Sequence, residues 1–198
     1  MPGDRAQSRG VVQKGMTPIV IDIEASGFGR GSYPVEVGLV LPDGARHCYL
    51  IAPARHWRHW DEEVEKIHGI TREALSNYGR SLDDVASRLN ALLGRKTVYS
   101  DAWSFDMSWL GKLYDAAGIR QTFRVADITG LIDEEQRGRW HAVKQQVVEE
   151  LGLRRHRASG DARVLQETWR RIRWPAVGPA ELLSRSISMA VMTLGKRV

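Results

Sequence analysis

The feature that most constrains this chain is Pro18-Ile19-Val20-Ile21-Asp22-Ile23-Glu24-Ala25-Ser26-Gly27-Phe28-Gly29. It begins as the short apolar run of a buried strand, sets two carboxylates at alternate positions, then breaks into a glycine-rich turn. Residues two apart along a strand point to the same side, so Asp22 and Glu24 project together at the strand's end. Like charges held that close raise each other's pKa unless something positive sits between them. A hard divalent cation with oxygen ligands is the simplest positive group. The alternative is an edge strand whose acids face water, and carboxylates elsewhere in the chain decide between the two.

The length of 198 residues suits one domain with a substantial core. No apolar run approaches the roughly 18–20 residues of a membrane span, and residues 1–15 lack the apolar stretch of a secretory signal. Cys48 is the single cysteine, which excludes an internal disulfide and a thiolate zinc site; it reads as a small buried strand residue. A cytoplasmic location is expected. The net charge of +5 is uneven: residues 1–14 carry +2 and 170–198 carry +5, leaving 15–169 at −2. Basic ends of this kind either attract a polyanion without crowding an acidic site or are simply solvated.

Along the chain, residues 1–15 read as a flexible leader, 16–174 as one α/β domain and 175–198 as a tail that packs or dimerises through Leu182, Leu183, Ile187, Met189 and Val191. Two β-rich runs, 35–41 and 47–51, flank the turn Pro42-Asp43-Gly44, a hairpin signal. Together with the first strand they form an antiparallel meander. Residues 53–78 look irregular. Ser81-Leu82-Asp83-Asp84 opens a helix ended by Gly94. A strand at 97–100 precedes a second helix, with Phe105, Trp109 and Leu113 on its inner face and Gly118 as its stop. A strand near 123–126 and helices at 142–151 and 161–172 complete the body. The order implies a mixed sheet, meander first and crossover helices afterwards.

Three further residues carry chemistry. Asp106 starts the second helix just beyond the strand at 97–100, where ligand sites gather in α/β sheets; Asp101 rivals it for the same role. Asp161 opens the final helix, and His156 lies five residues earlier on a loop, where an imidazole can take a proton from water. Each of these acids would serve equally as a helix cap. His56, His59 and His68 lack zinc-site spacing. Trp57, Trp60 and Trp103 are able to stack on bases, although core packing explains tryptophans as well.

Taken in order, Asp22-x-Glu24 after the first strand, Phe105-Asp106 at a helix start and His156-x4-Asp161 before the last helix resemble the DEDDh 3′-to-5′ exonucleases. This is the DnaQ-like group of the RNase H-like superfamily. The resemblance covers about residues 17–172 and extends to Glu36-Val37-Gly38, His68-Gly69-Ile70-Thr71 and Phe28. It departs where the family has two threonines, here Ala25-Ser26. It departs again where the family's His-Asn-Ala-x-Phe-Asp reads Asp101-Ala102-Trp103-Ser104-Phe105-Asp106.

The resemblance implies an RNase H-like mixed five-stranded sheet, a three-stranded antiparallel meander plus parallel strands, flanked by helices. It implies a 3′-to-5′ exonuclease with two divalent ions, Mg or Mn, held by Asp22, Glu24, Asp106 and Asp161, and His156 as general base. Ala25, Ser26, Gly27, Phe28, His68 and Trp103 would meet the 3′-terminal nucleotide of a single strand. A polymerase-type partner is a further expectation, alongside the homodimer read from the tail. A binding module that kept the fold without turnover is the alternative. DNA and RNA substrates are not separated by these residues, and neither are the roles of Asp101 and Asp106.

Overall fold

In the computed structural model of the protein, residues 16–175 are described. The leader 1–15 and residues 176–198 of the tail, with the dimerisation read into them, lie outside the described residues.

Five strands form one sheet: β1 (Val20–Ala25), β2 (Pro34–Val40), β3 (Arg46–Leu50), β4 (Thr97–Ser100) and β5 (Arg124–Asp127), in the order β3-β2-β1-β4-β5. β1, β2 and β3 pair antiparallel, whereas β4 pairs parallel to β1 and β5 parallel to β4. This is the expected mixed sheet of the RNase H-like fold, with β1 at its centre. The β2–β3 hairpin turns at Pro42-Asp43-Gly44, where Gly44 takes a positive φ of 86° and its amide donates to the Leu41 carbonyl.

The six helices are α1 (Glu62–His68), α2 (Arg72–Tyr78), α3 (Leu82–Leu93), α4 (Trp103–Ala117), α5 (Glu134–Leu151) and α6 (Ala158–Arg173). Strand alternation divides them between two faces of the sheet. Ile19, Ile21, Ile23 and Ala25 face a core shared with Val85, Leu89 and Leu93 of α3 and Leu110 and Leu113 of α4. Val20 faces the opposite core, built with Trp140 of α5 and Ala162, Leu165, Trp169 and Ile172 of α6. Asp22 and Glu24 continue the row that Val20 begins, so both carboxylates point to the α5–α6 side.

Two elements differ from the sequence expectation. Residues 53–78 contain α1 and α2, and α2 contributes Leu75 to a small core with Tyr33, Val35 and Ile70. Asp61 caps α1 and Thr71 caps α2, but helices of seven residues show too little periodicity to be read from pattern alone. α5 begins at Glu134 rather than 142, with Asp133 and Gln136 forming a capping box. Its first two turns are so polar that no apolar stripe marks them. Cys48 is exposed on the edge strand β3 rather than buried. No helix among the described residues is long and apolar enough to cross a membrane.

Candidate metal and catalytic site

The site is built where α6 meets the middle of the sheet. Across the β1–β2 ladder, Asp22 is opposite Gly38 and Glu24 is opposite Glu36. Both β2 residues act on the start of α6. Gly38 has no side chain because α6 lies directly on it: a Cβ there would overlap the Ser159 amide and the Ala158 carbonyl carbon. Glu36, 0% exposed, accepts from the Arg157 guanidinium at 3.0 and 3.1 Å and from the Ala158 amide at 2.8 Å. One buried acid thus satisfies an orphan N–H of the helix start and fixes the residue before it. The Glu36-Val37-Gly38 motif is the socket into which α6 plugs.

The loop before α6 turns sharply at His156, the one non-glycine residue with positive φ (57°) among the described residues. Its amide donates to the Asp161 carboxylate at 2.8 Å, so Asp161 holds the backbone that carries the imidazole. From the other side, the Arg154 guanidinium packs against Gly69 of the His68-Gly69-Ile70-Thr71 motif. The result is convergence: ligand atoms of Glu24, His156 and Asp161 all lie within 4.8 Å of one another. They share a cavity of about 170 Å³ with Asp22, Asp101, Lys144 and Arg155.

Asp106 sits behind this cavity rather than on its surface. It is 1% exposed, and the Ser100 hydroxyl donates to it while accepting from the Ala102 amide at 2.9 Å. Burial pushes the Asp106 carboxyl up to about 7, with Ser100 acting in the opposite direction. Burial likewise raises Asp22 well above the carboxylate range, and Asp106 is its strongest like-charge neighbour, followed by Glu24 and Asp161. Glu24 is pushed up to about 7, first by burial and then by Asp161. Burial raises Asp161 as well, against the pull of His156. All four acids are thus raised by burial, and a positive group among them would favour their ionised forms. Asp101 instead pairs with Lys144 at 2.6 Å at the cavity's edge.

Among the residues expected to meet a nucleotide, Ala25, Ser26 and Gly27 are buried at the end of β1. Phe28 is 65% exposed and stands edge-on to Phe105, centroids 6.2 Å apart, with Trp109 6.4 Å away. Phe105 is half exposed beside it rather than on the inner face of α4, because it packs outward on Phe28. Trp103 is exposed in the first turn of α4. His68 is placed differently from the expectation of substrate contact. It is 1% exposed, its Nδ1 accepts from the Ile70 amide at 2.9 Å, and burial depresses its pKa, keeping it neutral behind Ala25. It supports the floor from beneath.

Lys144 and Arg155 were not legible as site residues. Lys144 lies mid-helix in a polar run, and only the packing of α5 beside α6 brings it to the acids.

No family model and no curated protein matches the sequence. The fold is similar to solved structures of Exonuclease I. One is Escherichia coli Exonuclease I in complex with a dA16 oligonucleotide, with TM-score 0.59 and 12% identity over 84% of this chain and 44% of that one. Another is a moderately thermophilic Exonuclease I from Methylocaldum szegediense, with TM-score 0.60 and 17% identity over 79% and 40%. A third is the zinc-bound form of the E. coli Exonuclease I complex with single-stranded DNA, with TM-score 0.57 and 14% identity over 79% and 40%. The chain spans less than half the length of these structures.

Proposed function

We propose that this chain is a divalent-metal-dependent 3′-to-5′ exonuclease of the DEDDh kind, releasing 5′-nucleotides from the 3′ end of single-stranded nucleic acid. The observation that carries the reading is the convergence of Glu24, His156 and Asp161 within 4.8 Å, in a cavity that Asp22 also lines. The donor set fits hard cations: carboxylate oxygens, without thiolate, raised in pKa first by burial and, for Asp22 and Glu24, then by one another's charge and that of Asp161. Asp22, Glu24 and Asp161 would hold one Mg²⁺ or Mn²⁺, and Asp106 a second beside Asp22. When bound, such a pair supplies the positive charge that stabilises the attacking and leaving oxygens of an in-line displacement.

The chain's own residues supply the rest. The His156 imidazole accepts the proton of the attacking water, from a backbone that Asp161 holds in place through the His156 amide. Ser100 keeps one Asp106 oxygen engaged and leaves the other for the cage. The terminal base packs on Phe28, with Phe105 extending the apolar surface. Single-stranded DNA as a substrate is supported by the oligonucleotides in the Exonuclease I complexes.

The test is release of mononucleotides from a labelled single strand, DNA and RNA side by side, with Mn²⁺ and with chelator. Wild type releases them only with metal, while Asp161→Asn stays folded and releases none. Unchanged turnover by purified Asp161→Asn would sink the assignment. Stabilisation by Mn²⁺ with no release from any strand would favour a binding module on the same fold.

A further inference from the structure

A cavity beside the aromatic platform lies away from the carboxylates and belongs to none of the roles assigned above. It measures about 620 Å³ and is lined by Gly31, His56, Trp57, Arg58, His59, Lys112, Asp115 and Ala116. That volume lies in the range of nucleotide-sized ligand sites. Three observations connect it to the aromatic platform. First, Phe105, Trp109, Lys112 and Ala116 fall on one stripe of α4, at i, i+4, i+7 and i+11. The stripe starts at Phe28 and ends in the cavity; seven residues of helix separate Phe105 from Lys112 by about 10 Å.

Second, His59 forms the wall between the two. Its Nδ1 is 3.2 Å from the Ser26 hydroxyl, and a Cβ on Gly27 would come within 2.6 Å of its Cε1. The floor beneath Phe28 and the wall of the cavity are therefore one packed unit. Third, the charge is suited to an anion. Arg58 forms no ion pair among the described residues. Lys112 spends one N–H on the Ser32 carbonyl and keeps two more. Against these stands only Asp115 on the rim, and Trp57, stacked on Tyr33 at 4.9 Å, gives a rigid apolar side.

We infer that this cavity is an upstream subsite that takes a nucleotide of the same strand about 10 Å to the 5′ side of the terminal base, with Arg58 and Lys112 on its phosphates. At the ~3.4 Å rise of a stacked strand that distance is roughly three nucleotides. The inference rests on the exonuclease reading for the strand's direction. It predicts that the protein grips a strand longer than three or four nucleotides more tightly than a dinucleotide, and that the difference comes from this cavity.

The experiment measures binding of labelled oligothymidylates of two, four and eight nucleotides, carrying a phosphorothioate at the 3′-terminal linkage to resist cleavage. Arg58→Ala weakens octamer binding several-fold, and Arg58→Ala with Lys112→Ala about tenfold, while dinucleotide binding stays within twofold. The slope of log affinity against log salt falls by about 0.7 for each phosphate contact removed. Lys112→Arg, which keeps a donor toward Ser32, retains octamer binding and separates phosphate contact from loop support. The inference is overturned if octamer affinity and salt slope are unchanged in Arg58→Ala, or if the dinucleotide weakens equally. It is overturned too if wild type binds octamer and dinucleotide alike. Failure of the catalytic reading shows separately, as no hydrolysis of an unmodified strand by wild type.

Discussion

Glu24 and Glu36 are partners across the β1–β2 ladder, yet the fold treats them in opposite ways. Glu36 is fully enclosed and answered: the Arg157 guanidinium and the Ala158 amide take both of its oxygens. Glu24, one strand over, forms no ion pair among the described residues and is pushed up to about 7 by burial, then Asp161 and Glu36, against the pull of Arg157. Two acids in register thus divide the labour. One spends its charge on placing α6; the other, on the proposed reading, is left for a ligand. A buried carboxylate that the fold has already paired is scaffolding, and one that the fold leaves frustrated marks the chemistry.

The widest separation between the two comes from removing each charge. Glu24→Gln should lower nuclease turnover by about a hundred- to a thousandfold, the scale on which removing an electrostatic contributor at a reacting centre acts. Its melting temperature should hold or rise, because a repelling charge is gone. Glu36→Gln should do the reverse in emphasis: a loss of about 2–3 kcal/mol of stability from the broken charge-assisted contacts, seen as a lower urea midpoint. Its turnover should fall only as far as α6 shifts. If Glu24→Gln is the destabilised variant of the two, the division of labour is wrong.

Gly38→Ala probes the same socket sterically. A methyl cannot fit against the Ser159 amide and Ala158 carbonyl carbon without moving backbone, so overpacking costs of about 1–3 kcal/mol apply. Because His156 and Asp161 ride on the displaced segment, turnover should drop more than stability suggests. Equal turnover with a lower melting temperature would mean that α6 tolerates the shift.

The frustrated acids also set a pH dependence. Glu24 and Asp106, raised to about 7 from 4.5 and 3.8, hold protons in the folded chain that the unfolded chain has released. Their favourable contribution is therefore complete below about pH 4 and is lost as pH rises toward 7. In chelator the melting temperature should fall across that window, and stabilisation by Mn²⁺ should grow. His68 works the other way: held neutral, it disfavours the fold as pH falls through the histidine range. The informative quantity is thus the difference between wild type and Glu24→Gln. A difference that does not change from pH 5 to 7.5 would break the link between burial and frustration.

The same contrast explains which parts of the molecule sequence reasoning reaches. β1, the hairpin at Asp43-Gly44 and α3 with its Ser81 cap follow from local pattern, because their signals lie within a few residues; α6 follows from its periodicity, but it starts at Ala158 rather than 161 because its first amide is satisfied by distant Glu36. Asp22 and Glu24 could be paired on one face by strand alternation alone. What stayed hidden depends on contacts distant in sequence. The Glu36–Arg157 pair joins residues 121 apart, and Lys144 reaches the acids only because α5 packs beside α6. Phe105 shows a third kind of failure. Helical spacing places it with Trp109 and Leu113, but exposed aromatic neighbours at Phe28 turn it outward, a tertiary effect that no periodicity records.

The smallest effect belongs to the substrate platform, which the fold leaves as open as the carboxylates are enclosed. Phe28 stands 65% exposed on a glycine-flanked turn, with the rings of Phe105 and Trp109 beside it. Phe28→Leu keeps an apolar surface of similar size and removes the π-face, so about 0.5–1.5 kcal/mol of ring interaction is at stake. The expected outcome is a KM for single strands raised a few-fold, kcat nearly unchanged and a melting temperature within a degree or two of wild type. A fall in kcat matching that of Glu24→Gln would show that the platform positions the scissile bond as tightly as the cage does. The contrast between an enclosed catalytic wall and an adaptable substrate wall would then have to be given up.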